Sequence, residues 1–183
     1  CDRRQRQMCI RDRCNIGCSY CYARMNNNRF HTIDDFNKPV FFENKLKMLN
    51  NKRHTAYLLT GQSDLSGWNE EWKDKVFSKM KENENTQYIF LTKRPENIKL
   101  KETPDNGWFG VTVTSSKEKT RIDYLRNNIK AKHYHITFEP MFDDVGKLDL
   151  NNISWIVIGT ETGNRKGKIS SKREWVFLSL IHI

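Results

Sequence analysis

Three cysteines set the first chemical question. The run Cys14-Asn-Ile-Gly-Cys18-Ser-Tyr-Cys21 separates its thiols by three residues and then two. That spacing lets one loop reach three corners of an iron-sulfur cubane and leaves the fourth iron without a protein ligand, open to a small molecule. Thiolates suit zinc equally well, so ligand type alone does not choose the metal. A structural zinc site calls for a fourth protein ligand, for which the chain offers Cys9, His31 or His54.

A second set of polar residues recurs at the ends of short apolar runs. These are Gly61, Gln62, Ser63 and Asp64 after AYLLT, Lys93 and Arg94 after YIFLT, and Thr112 and Thr114 in WFGVTVT. Glu139 with Pro140 follows YHITF, and Glu161 with Thr162 and Gly163 follows WIVIG. Polar groups at the carboxyl ends of several parallel strands converge on one mouth, where α/β barrels build their sites. Pro140 holds Glu139 extended and aims it at that mouth. Glycines around Glu161 permit close approach of backbone to a ligand. Lys93 and Arg94 supply positive charge for a carboxylate or phosphate. Each cluster also has a plainer reading as a solvated strand end, and threonine is a common strand former in its own right.

The elements that must position these groups follow from the same pattern. Five apolar runs, Ala56 to Thr60, Tyr88 to Thr92, Trp108 to Thr114, Tyr134 to Phe138 and Trp155 to Gly159, are continuous rather than alternating. Such runs fit parallel strands buried on both faces. Between them lie charged stretches with helical spacing: Phe41, Phe42, Leu46 and Leu49 between Pro39 and Asn50, then Val76, Phe77 and Met80 after Trp68 and Trp72. A third helix is expected with Ser115 or Ser116 as its cap and Ile122, Leu125 and Ile129 as its stripe. The alternation predicts an α/β fold with parallel strands. The five tryptophans read as packing residues.

The ordered stretches CSYCYA, TGQSDL, FLTKRPE, WFGVTVT, FEPMFDD and WIVIGTETG resemble the radical S-adenosylmethionine superfamily. They are most similar to a phage-associated bacterial family of unknown function that resembles the spore photoproduct lyase branch. The resemblance covers about residues 14 to 176. It implies a partial (β/α)6 TIM-type barrel whose first strand, upstream of the cysteines, is expected to be missing here. It implies that Cys14, Cys18 and Cys21 hold a [4Fe-4S] cluster while S-adenosylmethionine chelates the open iron. One electron, delivered by a donor such as flavodoxin or ferredoxin, would then give a 5′-deoxyadenosyl radical that abstracts hydrogen from a substrate. Tyr20 is expected near the adenine. Gly61, Gln62, Ser63 and Asp64 occupy the place of the superfamily's Gly-Gly-Glu turn, with Asp64 standing in for the missing Glu. Thr112, Thr114, Glu139 and Glu161 complete the expected S-adenosylmethionine contacts, and no catalytic residue is assigned.

The chain of 183 residues is 37% hydrophobic and 30% charged, a composition for one folded domain. No apolar stretch is long enough to span a bilayer, and nothing at the start has the form of a secretory signal. A cytoplasmic setting is therefore expected, and the resemblance implies a bacterial or phage-infected host. Residues 1–13 carry five arginines against two aspartates, a net +3 of the total +10. This segment and residues 178–183 are set apart as tails that look non-native, since QMCIRDR and LSLIHI resemble translated adapter read-through. The domain is then 14–177, a fragment incomplete at both ends. The basic balance, together with the lyase resemblance, makes nucleic acid a candidate substrate. Two rivals stand beside the enzyme: a zinc or iron-sulfur binding module without catalysis, and a basic nucleic-acid-binding domain.

Overall fold

Runs such as Tyr88 to Thr92 have no polar face to turn to water, so they belong in the middle of a sheet covered on both sides. The computed structural model describes residues 5–7, 11–12, 14–31, 35–38, 40–50, 55–162 and 165–180, with side chains from 14 to 176. Its strands are β1 (Gln5–Gln7), β2 (Arg11–Asp12), β3 (Val40–Phe41), β4 (Ala56–Leu58), β5 (Gln87–Thr92), β6 (Gly107–Thr112), β7 (His133–Phe138) and β8 (Ile153–Ile158). Strands β4 to β8 form the body of a parallel sheet in chain order, and β1 extends it beside β4. The fold is therefore α/β with a parallel sheet, as the alternation predicts. Because each strand lies next to the one that follows it in the sheet, right-handed crossovers bring the connecting segments onto one face.

The expected absence of a first strand is corrected by β1, which pairs Gln5 with Ala56 and Gln7 with Leu58. The sequence Gln-Arg-Gln gives no apolar signal, but strand pairing runs through backbone N–H and C=O groups that every residue carries. Residues 11 and 12 form a further strand, antiparallel to β3. This pairing draws Val40 and Phe41 out of the helix expected from Pro39 to Asn50. The rest of that segment, Glu43–Asn50, is a 3₁₀ helix. Its buried residues Leu46 and Leu49 are three apart, the spacing that eclipses in a threefold helix.

The α-helices among the described residues are α1 (Tyr22–Phe30), α2 (Glu70–Lys81), α3 (Thr120–Asn128) and α4 (Arg173–Leu180). Asn69 caps α2 by accepting the Trp72 N–H at 2.9 Å, with Glu70 and Glu71 in the first turn and Lys79 and Lys81 in the last. Helix α3 starts later than expected. Ser116 does not cap it; the Ser116 N–H and hydroxyl both donate to Asp143, at 2.7 and 2.9 Å.

Aromatic rings fill the helical side of the sheet. Phe90 stacks on Phe109 at 4.8 Å, and Phe77 of α2 meets both rings edge-on at 6.0 Å. Tyr57 and Tyr88 are fully buried, and their hydroxyls donate to the carbonyls of Met48 and Leu49 at 3.1 and 3.2 Å. Trp68 and Trp72 pack on Phe90 and Phe41, as expected of core tryptophans. Elsewhere His135 is 1% exposed, and its Nε2 lies 3.0 Å from the Phe90 carbonyl. The ring fits because position 110 is glycine; a Cβ there would lie 2.4 Å from the imidazole. Burial pushes His135 down to about 4, so the ring is neutral at pH 7.

Candidate functional site

The cysteine loop is shaped by local backbone and held by one arginine. Gly17 has φ +79°, a left-handed conformation that lets the chain turn between Cys14 and Cys18 without a Cβ penalty. The Cys21 N–H then donates to the Cys18 carbonyl at 3.2 Å, and the Cys21 sulfur caps α1 by accepting the Arg24 N–H at 3.4 Å. Arg24 reaches back, its Nη2 donating to the Cys14 carbonyl (3.2 Å) and to Asn37 Oδ1 (3.0 Å), with its guanidinium 4.9 Å over the Phe36 ring. All three thiols are free and half-buried. Burial pushes Cys14 up to about 11, so it is protonated at pH 7 and must lose that proton to bind a metal.

A cavity of about 300 Å³, within the range of small-molecule sites, lies against this loop. Its lining brings together Cys14, Cys18, Cys21 and Tyr20 of the loop with Gly61, Gln62, Ser63 and Asp64 after β4, Lys93 after β5, Thr112, Glu139 and Glu161. The expected convergence of strand ends thus occurs, and only Thr114 among the expected contacts is absent from the wall. Its N–H and hydroxyl go to Glu118 Oε2 instead, at 2.7 and 2.8 Å. In a strand successive side chains alternate faces, but the last ladder pair is at Thr112, so period 2 does not carry past it.

Lining the cavity is not the same as being free to bind. Asp64 is 6% exposed, and its carboxylate accepts four hydrogen bonds. Oδ1 takes the Ser66 N–H (3.0 Å), the Ser66 hydroxyl (2.7 Å) and the Thr92 hydroxyl (2.7 Å), and Oδ2 takes the Lys93 N–H (2.8 Å). This carboxylate ties the turn after β4 to the end of β5. Ser63 accepts from the Trp68 indole at 3.3 Å. Glu161 forms a two-pronged pair with Arg165, Nε to Oε1 at 2.5 Å and Nη2 to Oε2 at 2.8 Å, and that guanidinium holds its carboxyl below the usual range. Among the described residues Glu139 has no such tether. Gly159 of the neighbouring strand end makes room for it, since a Cβ there would lie 2.9 Å from the Glu139 side chain.

Tyr20 stands edge-on to Phe142 at 5.4 Å, with Lys93 Nζ 5.9 Å above its ring. Burial foremost, then the neighbouring Cys18, pushes its hydroxyl above the ordinary tyrosine value. Several wall residues escaped the sequence reading. Tyr22 donates to the Gly61 carbonyl at 2.7 Å and ties the cysteine loop to the turn after β4. Arg165, which pairs with Glu161 but does not itself line the cavity, was detectable in principle as an opposite charge four residues after it. Thr60 and Thr137 also line the cavity, but nothing local in the sequence distinguishes them from ordinary strand threonines. Arg94 faces away from this cavity into a second one.

Among the described residues no three or more His, Cys, Asp or Glu side chains close on a single ion. His31 is the exposed left-handed residue ending α1; Cys9 and His54, the other expected zinc ligands, and Gly163 lie outside the described residues. No helix among them is long and apolar enough to cross a membrane.

Fold and site together define an α/β protein with a three-cysteine loop set over the carboxyl ends of a parallel sheet. The chain belongs to the family described as protein of unknown function (DUF5131), whose model matches residues 9–178. No curated protein and no solved structure matches it.

Proposed function

We propose that this chain is a radical S-adenosylmethionine enzyme, with the 300 Å³ cavity as its active site. The observation that carries the reading is that one cavity is walled by all three thiols of the loop and by the ends of successive parallel strands. The strand order, unbroken from β4 to β8 with β1 at the edge, suits a partial (β/α)6 barrel opening at that end. Cys14, Cys18 and Cys21 would hold a [4Fe-4S] cluster. Each thiolate of a cubane meets a different iron, whereas one zinc would need its sulfurs drawn to about 3.8 Å of one another around bonds of about 2.3 Å.

Held there and reduced by a donor of the flavodoxin or ferredoxin class, the cluster would supply one-electron reductive cleavage of S-adenosylmethionine and, through it, hydrogen abstraction from substrate. The chain's own residues orient and shield. Lys93 offers a cation to the methionine carboxylate. With Asp64 held by four donors, Gln62 and Glu139 are the acceptors left for the ammonium and ribose hydroxyls. Glu161 is fixed in direction by Arg165. The Tyr20 face, braced by Phe142, suits adenine. Ile16, Leu58 and Leu91 contribute apolar surface that keeps water from a reactive radical. Free thiols of this kind fit a reducing cytoplasm.

The test is anaerobic reconstitution with iron and sulfide, then S-adenosylmethionine and dithionite, with 5′-deoxyadenosine measured by chromatography. The proposal expects its formation in the wild-type protein and its loss in Cys18→Ala. Reconstituted protein that consumes no S-adenosylmethionine would overturn it.

A further inference from the structure

A second cavity, of about 480 Å³, borders the first. Ile16 of the cysteine loop and Lys93 at the end of β5 belong to both walls. Most of the rest of the second wall is charged. Lys93, Arg94, Lys117 and Arg121 face it against Glu96 and Glu118, a net charge of +2.

Only one pair among these charges is closed within the described residues, Glu118 with Arg121. Glu118 is engaged within the fold, its Oε2 accepting from Arg121 Nη1 at 2.8 Å and from both Thr114 donors. Arg121 is held in turn by the Thr112 carbonyl at 2.7 Å. Arg94 and Lys117, by contrast, have no side-chain hydrogen bond or ion pair among the described residues. The Lys93 ammonium lies 5.9 Å from the Tyr20 ring and forms no ion pair among the described residues. The first residues of α3, Thr120 and Arg121, line the same hollow, and α3 has no side-chain cap to offset the positive end of its dipole. Unpaired cations gathered around one hollow repel one another, and an anion relieves that repulsion. Arg94 and Lys117 together carry more donor hydrogens than the two oxygens of a carboxylate take up, and so suit the three or four oxygens of a phosphate, with Lys93 on the shared border. Tyr124, 45% exposed on the same wall, offers a flat apolar surface beside them.

We propose that the second cavity receives a phosphate group, and that the substrate attacked in the first cavity is a phosphate-bearing molecule. The second half of this rests on the radical reading of the first cavity; the first half does not. A phosphate held there lies next to the cysteine loop, so the rest of the substrate reaches the reactive end across the shared Ile16 and Lys93 border.

The test is calorimetric titration of the full chain with inorganic phosphate, thymidine, thymidine 5′-monophosphate and a single-stranded oligothymidylate. The monophosphate is expected to bind at least about tenfold more tightly than thymidine, and Arg94→Glu/Lys117→Glu to lose at least about tenfold of that affinity, the scale of one charge-assisted hydrogen bond. Glu96→Gln removes the unengaged carboxylate and is expected to tighten monophosphate binding, a gain that misfolding does not imitate. Tighter binding of the oligonucleotide than of the monophosphate assigns a strand as the phosphate source; equal or weaker binding assigns a free nucleotide. Thymidine and its monophosphate binding alike, or the doubly substituted variant binding like wild type, would overturn the phosphate site. Phosphate binding without 5′-deoxyadenosine formation in reconstituted wild type leaves the phosphate site standing and removes the radical reading; the reverse result does the opposite.

Discussion

Asp64→Asn separates a carboxylate that holds the fold from one that holds a ligand. Three of its four hydrogen bonds end on Oδ1 and one on Oδ2. An asparagine oxygen in the Oδ1 position keeps three donors but turns an NH₂ toward the Lys93 N–H, leaving that buried donor unpaired at about 1–3 kcal/mol. Loss of the negative charge also weakens the bonds that remain, since charge-assisted bonds are roughly twice as strong as neutral ones. We expect a stability loss of about 2–3 kcal/mol for Asp64→Asn and about 4 kcal/mol for Asp64→Ala, in the upper range for single substitutions. Urea unfolding followed by circular dichroism measures this as a lower midpoint at unchanged slope. A loss below about 0.5 kcal/mol, coupled to weaker S-adenosylmethionine binding, would refute the structural role.

Other consequences are equally direct. His135 has a folded value near 4 against 6.5 unfolded, so the unfolded chain binds the extra proton first as pH falls. Its contribution is full above pH 6.5 and is lost on going down to 4, about 3 kcal/mol in all. Unfolding free energies measured between pH 7 and 4.5 should fall accordingly, and His135→Gln, which keeps a donor for the Phe90 carbonyl, should flatten that fall. Gly110→Ala drives a methyl into the buried imidazole and should destabilise by about 2–3 kcal/mol in the same assay. Gly159→Ala displaces the more mobile Glu139 side chain; the thermal midpoint should change little while S-adenosylmethionine affinity, measured by equilibrium dialysis, falls.

The strands were legible because both of their faces are covered, so Tyr88 and Phe90 or Phe109 and Val111 sit in continuous apolar runs. Their ends were read too far along the chain: Thr60, Thr114 and Gly159 are apolar-run neighbours, but the ladders stop at Leu58, Thr112 and Ile158. Helix α1 was invisible because Tyr-Ala-Arg-Met-Asn-Asn-Asn-Arg-Phe has no apolar stripe and its cap is the sulfur of Cys21, a residue read only as a metal ligand. Strand β1 was invisible because backbone pairing leaves no mark on side-chain type. The site was legible as a set of strand ends. Its internal engagements were not, since Asp64 is tied to Thr92 and Thr114 to Glu118 by contacts that depend on how turns close.

The central claim is that the three thiols hold a cluster whose open iron meets S-adenosylmethionine. Electron paramagnetic resonance of the reconstituted, reduced protein tests it most directly, with iron and sulfide counted on the same sample. The account predicts about four irons per chain, a reduced-cluster spectrum that changes when S-adenosylmethionine is added, and no cluster in the Cys14, Cys18, Cys21→Ala triple variant. A spectrum indifferent to S-adenosylmethionine, or a triple variant that still binds the metal, would contradict it.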